Sequence, residues 1–262
     1  MVIGIEKFKE AFADYVDNYV IIGGTACDFV LRDTTMRPRA TDDIDMILIV
    51  EKMTPEFGTA FWNFIKEGEY SNGQRKRGGD KTPVYELYRF ENPKGGYPVK
   101  IELLSRHSDL LGEPSSGFHI EPIPFQEEVS SLSAIMMDDD YYELTIENSF
   151  IEDELRIASP AALICLKAKA FLNLRTEKAE GRIVNSKDIK KHRNDVLKLI
   201  ATASFPEPII VSLSVRNSIE QYAAAITEML PSKSLEDALD RNSDDIVAFI
   251  EVLKGSFIVQ EL

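Results

Sequence analysis

Asp43 and Asp45 stand two positions apart in DIDMILIV, a segment as apolar and β-branched as a central strand should be. Residues i and i+2 of a strand leave the same face, so the two carboxylates project together. Carboxylates held a few ångströms apart repel, and a divalent cation is the usual way to make such a pair tolerable. Magnesium suits them, because it takes one or two carboxylates plus phosphate oxygens and keeps some water. Glu102 interrupts the apolar residues of VKIELLS, the next strong strand signal. If that strand lies beside the first, Glu102 completes a carboxylate triad. A triad has room for two metal ions, which clamp the attacking and leaving oxygens of a phosphoryl transfer. Otherwise Glu102 is an exposed edge residue sharing a face with Lys100.

Upstream, the apolar strand Tyr19–Ile22 breaks at Gly23-Gly24, and Thr25 can cap a helix running to about Arg32. Backbone at such a turn can approach a phosphate closely, and the helix N-terminus offers free N–H groups and a positive dipole end. A plain strand-to-helix turn would look the same, and Asp-x-Asp alone is common at strand ends. The order is what carries information: apolar strand, Gly-Gly-Thr, helix, then Arg39-x-Thr41-x-Asp43-Ile44-Asp45 opening the next strand.

IIGGTACDFVLRDTTMRPRATDDIDMIL resembles the signature of the DNA-polymerase-β-type nucleotidyltransferase superfamily, a Gly-Gly or Gly-Ser turn followed by Asp-hydrophobic-Asp on a strand. Within it the sequence is similar to the AbiEii-type toxin nucleotidyltransferases, which commonly read Gly-Gly-Thr-Ala and then Arg-x-Ser/Thr-x-Asp-Ile-Asp. Gly24 stands where that superfamily usually has Ser, so a hydroxyl contact to phosphate would come from Thr25. ASPAALICLKAKAFLNLR is similar to the family's Pro-x-x-Leu-x-x-x-Lys segment and places Lys167 on its lysine. NSKDIKKHRNDVLKLI resembles the later Lys-Asp-x-x-Asp helix, with Asp188 matching its first Asp and Lys191 standing at the second. The resemblance implies an α+β fold: a nucleotidyltransferase-type mixed sheet with flanking helices, then a mainly helical C-terminal lobe.

The resemblance also implies a metal-dependent enzyme that moves a nucleoside monophosphate from a nucleoside triphosphate to an acceptor. Asp43, Asp45 and Glu102 would hold Mg²⁺. Gly23, Gly24, Thr25 and Arg39 would grip the triphosphate, with Lys167, Asp188 and Lys191 closing over it. A toxin-like role follows, with tRNA as a candidate acceptor and a cognate antitoxin as a candidate partner. Two alternatives stay open: a nucleotide-binding module of the same fold without turnover, and a small-molecule nucleotidyltransferase of the antibiotic-modifying kind.

The residues of the helical segment speak for themselves as well. On a helical wheel Lys167 lies among Leu163, Ile164, Ala170, Phe171 and Leu174, while Lys169 points the other way as a solvated charge. Burying an ammonium is costly without a partner, so Lys167 either reaches an anion or snorkels to the rim. On that basis Lys167→Met should keep or raise stability. Asp188, Lys191, His192 and Asp195 fall beside the apolar stripe of Ile189, Val196 and Ile200, as a lip. His192 has no His or Cys partner at ligand spacing, and His107 and His119 carry nothing further.

The chain has 262 residues, of which 44% are hydrophobic and 28% charged, with net charge −14. That charge argues against a general nucleic-acid coat protein. Residues 160–200 run against the average, with ten Lys/Arg to four acids. Either a cleft has one cationic wall, or this is a solvated, salt-bridged helical face. Cys27 and Cys165 read as buried thiols of a reducing compartment. No apolar run approaches a membrane span, and the opening MVIGIEKFKE has no basic head before an apolar stretch, so a cytoplasmic location away from membranes is expected. There is no Gly-x-Ser-x-Gly elbow and no P-loop, which sets aside serine hydrolases and P-loop NTPases.

Around these residues the pattern predicts two lobes, 1–158 of mixed α/β and 159–262 helical. Helices are expected at Glu6–Val16 and Pro55–Glu67, and strands at Val84–Phe90 and Val99–Ser105. Ser71–Thr82 should be a mobile loop or hairpin. Short strands are expected near Ile135, at Tyr142–Ile146 and at Leu155–Ala158, with Asp138-Asp139-Asp140 as a solvated turn. Helices should follow at Ala161–Leu174, Ser186–Thr202, Pro208–Met229 and Leu235–Leu253.

Overall fold

A computed structural model describes residues 2–38, 40–75, 84–106, 120–123 and 132–260. The chain forms two compact units, Met1–Asp28 with Arg39–Ala158, and Phe29–Pro38 with Ser159–Leu262. The fold class is α+β, built on a mixed sheet. The segment Phe29–Pro38 therefore belongs with the second unit, although it comes early in the sequence.

In the first unit, α1 (Ile5–Phe12), β1 (Tyr19–Ile22), the start of α2 (Gly23–Leu31), β2 (Asp43–Leu48) and α3 (Pro55–Glu67) come first. Then follow β3 (Ser71–Arg75), β4 (Val84–Glu91), β5 (Lys100–Ser105), β6 (Ile120–Ile123), β7 (Leu132–Met136), α4 (Asp139–Glu147), β8 (Ser149–Glu152) and β9 (Leu155–Ala158). The strand order is β3-β4-β5-β2-β1-β9-β8, with β6 and β7 joined at β5. β1 runs antiparallel to β2, and β2 runs parallel to β5. The far edge of β5 is shared: its first half pairs antiparallel with β4, its second half parallel with β7.

Strand period decides which face is which. Ile44, Ile101 and Phe90 are cross-strand neighbours on one face. Phe61 of α3 stands edge-on to Phe90 at 5.5 Å, and Phe8 of α1 stands edge-on to Tyr19 at 5.6 Å. Phe8, Phe12, Phe57, Phe61 and Phe90 are all fully buried. Aromatic burial of this kind contributes about 1.5–3 kcal/mol per side chain. With that face covered, Asp43, Asp45, Glu102 and Arg89 fall on the opposite one.

Ser71–Arg75 and Val84–Glu91 pair as a hairpin, and the tip at 76–83 lies outside the described residues. Tyr142–Ile146, expected as a strand, is helical. Asp138 caps α4 by accepting from the Asp140 N–H, and Asp139 and Asp140 occupy its first turn. Acids there are stabilised by the exposed N–H groups and the dipole. The buried residues Tyr141, Tyr142, Leu144 and Thr145 follow helical spacing, so the acidic run is a helix start rather than a free turn.

The second unit holds α5 (Pro160–Ala179), α6 (Ser186–Thr202), α7 (Leu213–Thr227), α8 (Lys233–Leu239) and α9 (Ser243–Ser256). A short parallel pair, β10 (Ile209–Ile210) with β11 (Phe257–Ile258), closes it. Two expected helices are shorter than their periodicity implied. Ser212 caps α7 through the Val215 N–H, so the residues before it are free to extend as β10. Between α8 and α9, Asp240 is left-handed at φ 52°, and Asn242 with Asp245 forms a reciprocal capping box. Among the described residues no helix is long and apolar enough to cross a membrane.

Candidate functional site

The parallel register sets Asp43 opposite Lys100 and Asp45 opposite Glu102, and the antiparallel register on the other side sets Arg89 opposite Glu102. Glu91 stands opposite Lys100 in the same register, so four carboxylates (Asp43, Asp45, Glu91 and Glu102) and two cations share one face of three adjacent strands. β5 is interior to the sheet, so Glu102 is not an edge residue, and its side chain is 14% exposed. Arg89 Nη2 donates to Glu102 Oε1 at 2.9 Å. Lys100 Nζ lies 3.3 Å from both Asp43 Oδ2 and Glu102 Oε2. Burial works to lower the Lys100 pKa, but Asp45, Glu102 and Asp43 outweigh it and hold the group above the ordinary lysine value.

β1 delivers the turn to this face. Ile22, its last residue, pairs with Asp45, and the chain then enters α2 through Gly23 at φ 71°. A Cβ at Gly23 would collide with Asp45 Oδ2 and lie 3.0 Å from its Cγ. Glycine is needed here twice over, for the left-handed backbone and for the close approach. The Asp45 carboxylate consequently rests against the start of α2, where an anion is favoured. Gly23→Ala should cost about 1–3 kcal/mol from the backbone strain, and should also push the Asp45 carboxylate aside. Thermal melting together with Mn²⁺ titration checks this; an unchanged melting point and metal affinity would contradict it.

Thr25 is fully buried, and its hydroxyl donates to the Asp43 carbonyl. That bond ties the first turn of α2 to the start of β2. The hydroxyl is committed to the chain itself, so it is not the phosphate-facing group that the sequence pattern led us to expect. Arg39 lies outside the described residues.

In the helical unit Lys167 is 3% exposed, and its Nζ donates to Asp195 Oδ2 at 2.8 Å. The lysine neither snorkels nor stands bare; α6 supplies its counter-ion. Asp195 is itself buried, Lys191 and His192 are half-buried and Asp188 is exposed, so the α6 residues grade from core to surface. Lys169 is half-buried. Within the basic stretch Arg182 reaches Glu180 at 3.3 Å and Glu177 at 3.7 Å, and Lys178 donates to the Ser186 hydroxyl. Cys27 and Cys165 are both buried, and burial pushes the Cys165 thiol pKa upward.

Lys100, Arg89 and Glu91 were not singled out from sequence. Lys100 figured only as a neighbour of Glu102, although the alternation Lys-Ile-Glu held its signal. Arg89 had none, since only the β4–β5 register brings it to Glu102.

The donor chemistry fits a hard divalent cation, as Asp43, Asp45 and Glu102 all offer oxygen and Asp43 is 41% exposed. Among the described residues no three acidic, His or Cys side chains converge closely enough to hold a metal as they stand. Lys100 and Arg89 have drawn the Glu102 oxygens to themselves. No protein-family model and no curated protein sequence matches the chain.

Proposed function

We propose that the chain is a metal-dependent nucleotidyltransferase that moves a nucleoside monophosphate from a nucleoside triphosphate to an acceptor hydroxyl, with a toxin-like role of the AbiEii type. The observation that carries this reading is the shared face: Asp43, Asp45 and Glu102 across β2 and β5, with the Gly23 turn packed against Asp45. Asp43 and Asp45 would hold Mg²⁺, with Glu102 as a third ligand once its Oε2 is released from Lys100. Bound there, the ion would neutralise phosphate charge and polarise the phosphorus–oxygen bonds. The chain's own part is positioning. Backbone N–H groups at the start of α2 bind and orient phosphate oxygens, and the rigid β2–β5 register fixes the carboxylates. The acceptor hydroxyl gives up its proton to solvent water as its oxygen bonds to the α-phosphorus and the bond to the pyrophosphate oxygen breaks, a reaction that needs orientation and charge neutralisation more than a covalent intermediate.

A nucleotide-binding module without turnover is the second reading, and the pairing of Glu102 with Arg89 and Lys100 favours it. Labelling separates the two. The protein is incubated with Mg²⁺, each of the four nucleoside triphosphates and either purified tRNA or a small-molecule cell extract. Label from the α-phosphate should appear on an acceptor, label from the γ-phosphate should not, and chelation of the metal should stop the transfer. Nucleotide binding without any transfer establishes the binding module. Transfer of the γ-phosphate instead overturns the nucleotidyltransferase reading in favour of a kinase.

A further inference from the structure

We infer that Lys100 is the site's built-in counter-ion, and that a divalent cation takes its place on the carboxylates while its ammonium passes to a phosphate oxygen of the nucleotide. This rests on the nucleotidyltransferase reading and adds to it a phosphate-binding residue that the sequence motifs do not contain.

The register argues for it first. In a parallel pair, directly opposed side chains on one face are close neighbours. Lys100 is opposed to Asp43 and lies two residues from Glu102 on the same face, so a lysine here is bound to meet both acids. Its Nζ is equidistant, at 3.3 Å, from one oxygen of each. Those are oxygens a bridging cation would use. A divalent ion and an ammonium compete for them, because both cannot sit within van der Waals reach of the same lone pairs without strong repulsion.

Charge balance argues for it next. Asp43, Asp45, Glu91 and Glu102 against Lys100 and Arg89 leave two net negative charges on this face. Adding a divalent ion with the ammonium still in place would bring the face to neutrality, but would set two cations on the same carboxylate oxygens. Adding the ion together with a triphosphate, and moving the ammonium onto that triphosphate, keeps every charge opposite a partner. Arg89 is left on the other oxygen, Glu102 Oε1, to which its Nη2 donates at 2.9 Å. Lys100 differs from it in kind: a flexible stem with a compact, rotatable ammonium is suited to changing partners.

The experiment uses the intact chain, with Mn²⁺ alone and then Mn²⁺ with inorganic tripolyphosphate as probes. Lys100→Met and Lys100→Gln should each bind Mn²⁺ about tenfold more tightly than the wild type, and Lys100→Arg should stay within about threefold of it. With Mn²⁺ saturating, Lys100→Met and Lys100→Gln should bind tripolyphosphate about tenfold more weakly. Amine footprinting of the wild type with acetic anhydride adds a direct readout. Lys100 should acetylate faster once Mn²⁺ is added and become protected again by tripolyphosphate. If Mn²⁺ binds all four proteins equally and leaves Lys100 acetylation unchanged, the counter-ion exchange is wrong while the metal site stands. If neither the wild type nor Lys100→Met binds Mn²⁺, the metal-dependent reading of the site falls, and the exchange with it.

Discussion

Asp45→Asn should reduce nucleotide transfer at least about a hundredfold, the scale of losing one preorganised charged group at a reacting centre, and should leave the melting temperature unchanged. The activity loss follows from position. Asp45 is the one carboxylate pinned from two sides, by the β1 and β5 registers and by the Gly23 backbone. An amide keeps the shape and removes the anionic ligand. Stability should hold because the cluster already contains two cations, so the substitution leaves Asp43, Glu91 and Glu102 facing Lys100 and Arg89 with one net negative charge. Relief of carboxylate repulsion is therefore smaller than the Asp43–Asp45 pair alone implies. A shift within about 0.5 kcal/mol is expected. Asp43→Asn should behave alike but more mildly, since the Asp43 carboxylate is not held against the Gly23 turn. Full activity in Asp45→Asn with the labelled α-phosphate would remove Asp45 from the site.

Lys167→Met should destabilise the protein by about 3–5 kcal/mol, reversing the expectation that sequence alone supports. On a helical wheel the substitution looks harmless, even favourable, because it removes an ammonium from an apolar stripe. The structure supplies what the wheel lacks. Asp195 holds Nζ at 2.8 Å with both side chains nearly sealed from water, so the variant leaves a buried carboxylate without its cation. For a chain of this length the melting temperature should fall on the order of 10 °C. Adding Asp195→Leu should recover most of the loss, since an apolar pair of similar volume replaces the ion pair. Nucleotide affinity, measured well below the melting range, should change little. A variant that melts like the wild type but loses nucleotide would return Lys167 to the phosphate role implied by the family resemblance.

These two residues show where sequence was sufficient. The face of Asp43 and Asp45, the break at Gly23 and the apolar stripe around Lys167 all follow from local period, which the chain displays within a few residues. The strand at Lys100–Ser105 and the helices Pro55–Glu67 and Ser186–Thr202 were legible for the same reason. Partners were not. Asp195 is 28 positions from Lys167, and Arg89 reaches Glu102 only through a strand register that no local pattern specifies. Tyr142–Ile146 misled because aromatic and β-branched residues have strand propensity, while the capping aspartate before them decided for helix. The break between α8 and α9 was visible in principle, as Asn242-Ser-Asp-Asp is a capping sequence set inside an unbroken apolar period.

The early residues Phe29–Pro38 have a consequence for how the molecule comes apart. Because they belong to the second unit, the chain passes from one unit to the other after Asp28, after Pro38 and again after Ala158. A single cut at Ala158 does not separate two independent domains. The N-terminal fragment would keep Phe29, Leu31 and Met36, all buried in the whole chain, with the partners of that segment left on the other piece. The β1–α2–β2 segment that bears the carboxylates would thus carry a sticky, half-solvated insertion. Proteolysis and unfolding should accordingly report one cooperative transition where the strand-rich and helix-rich composition of the two parts would lead one to look for two.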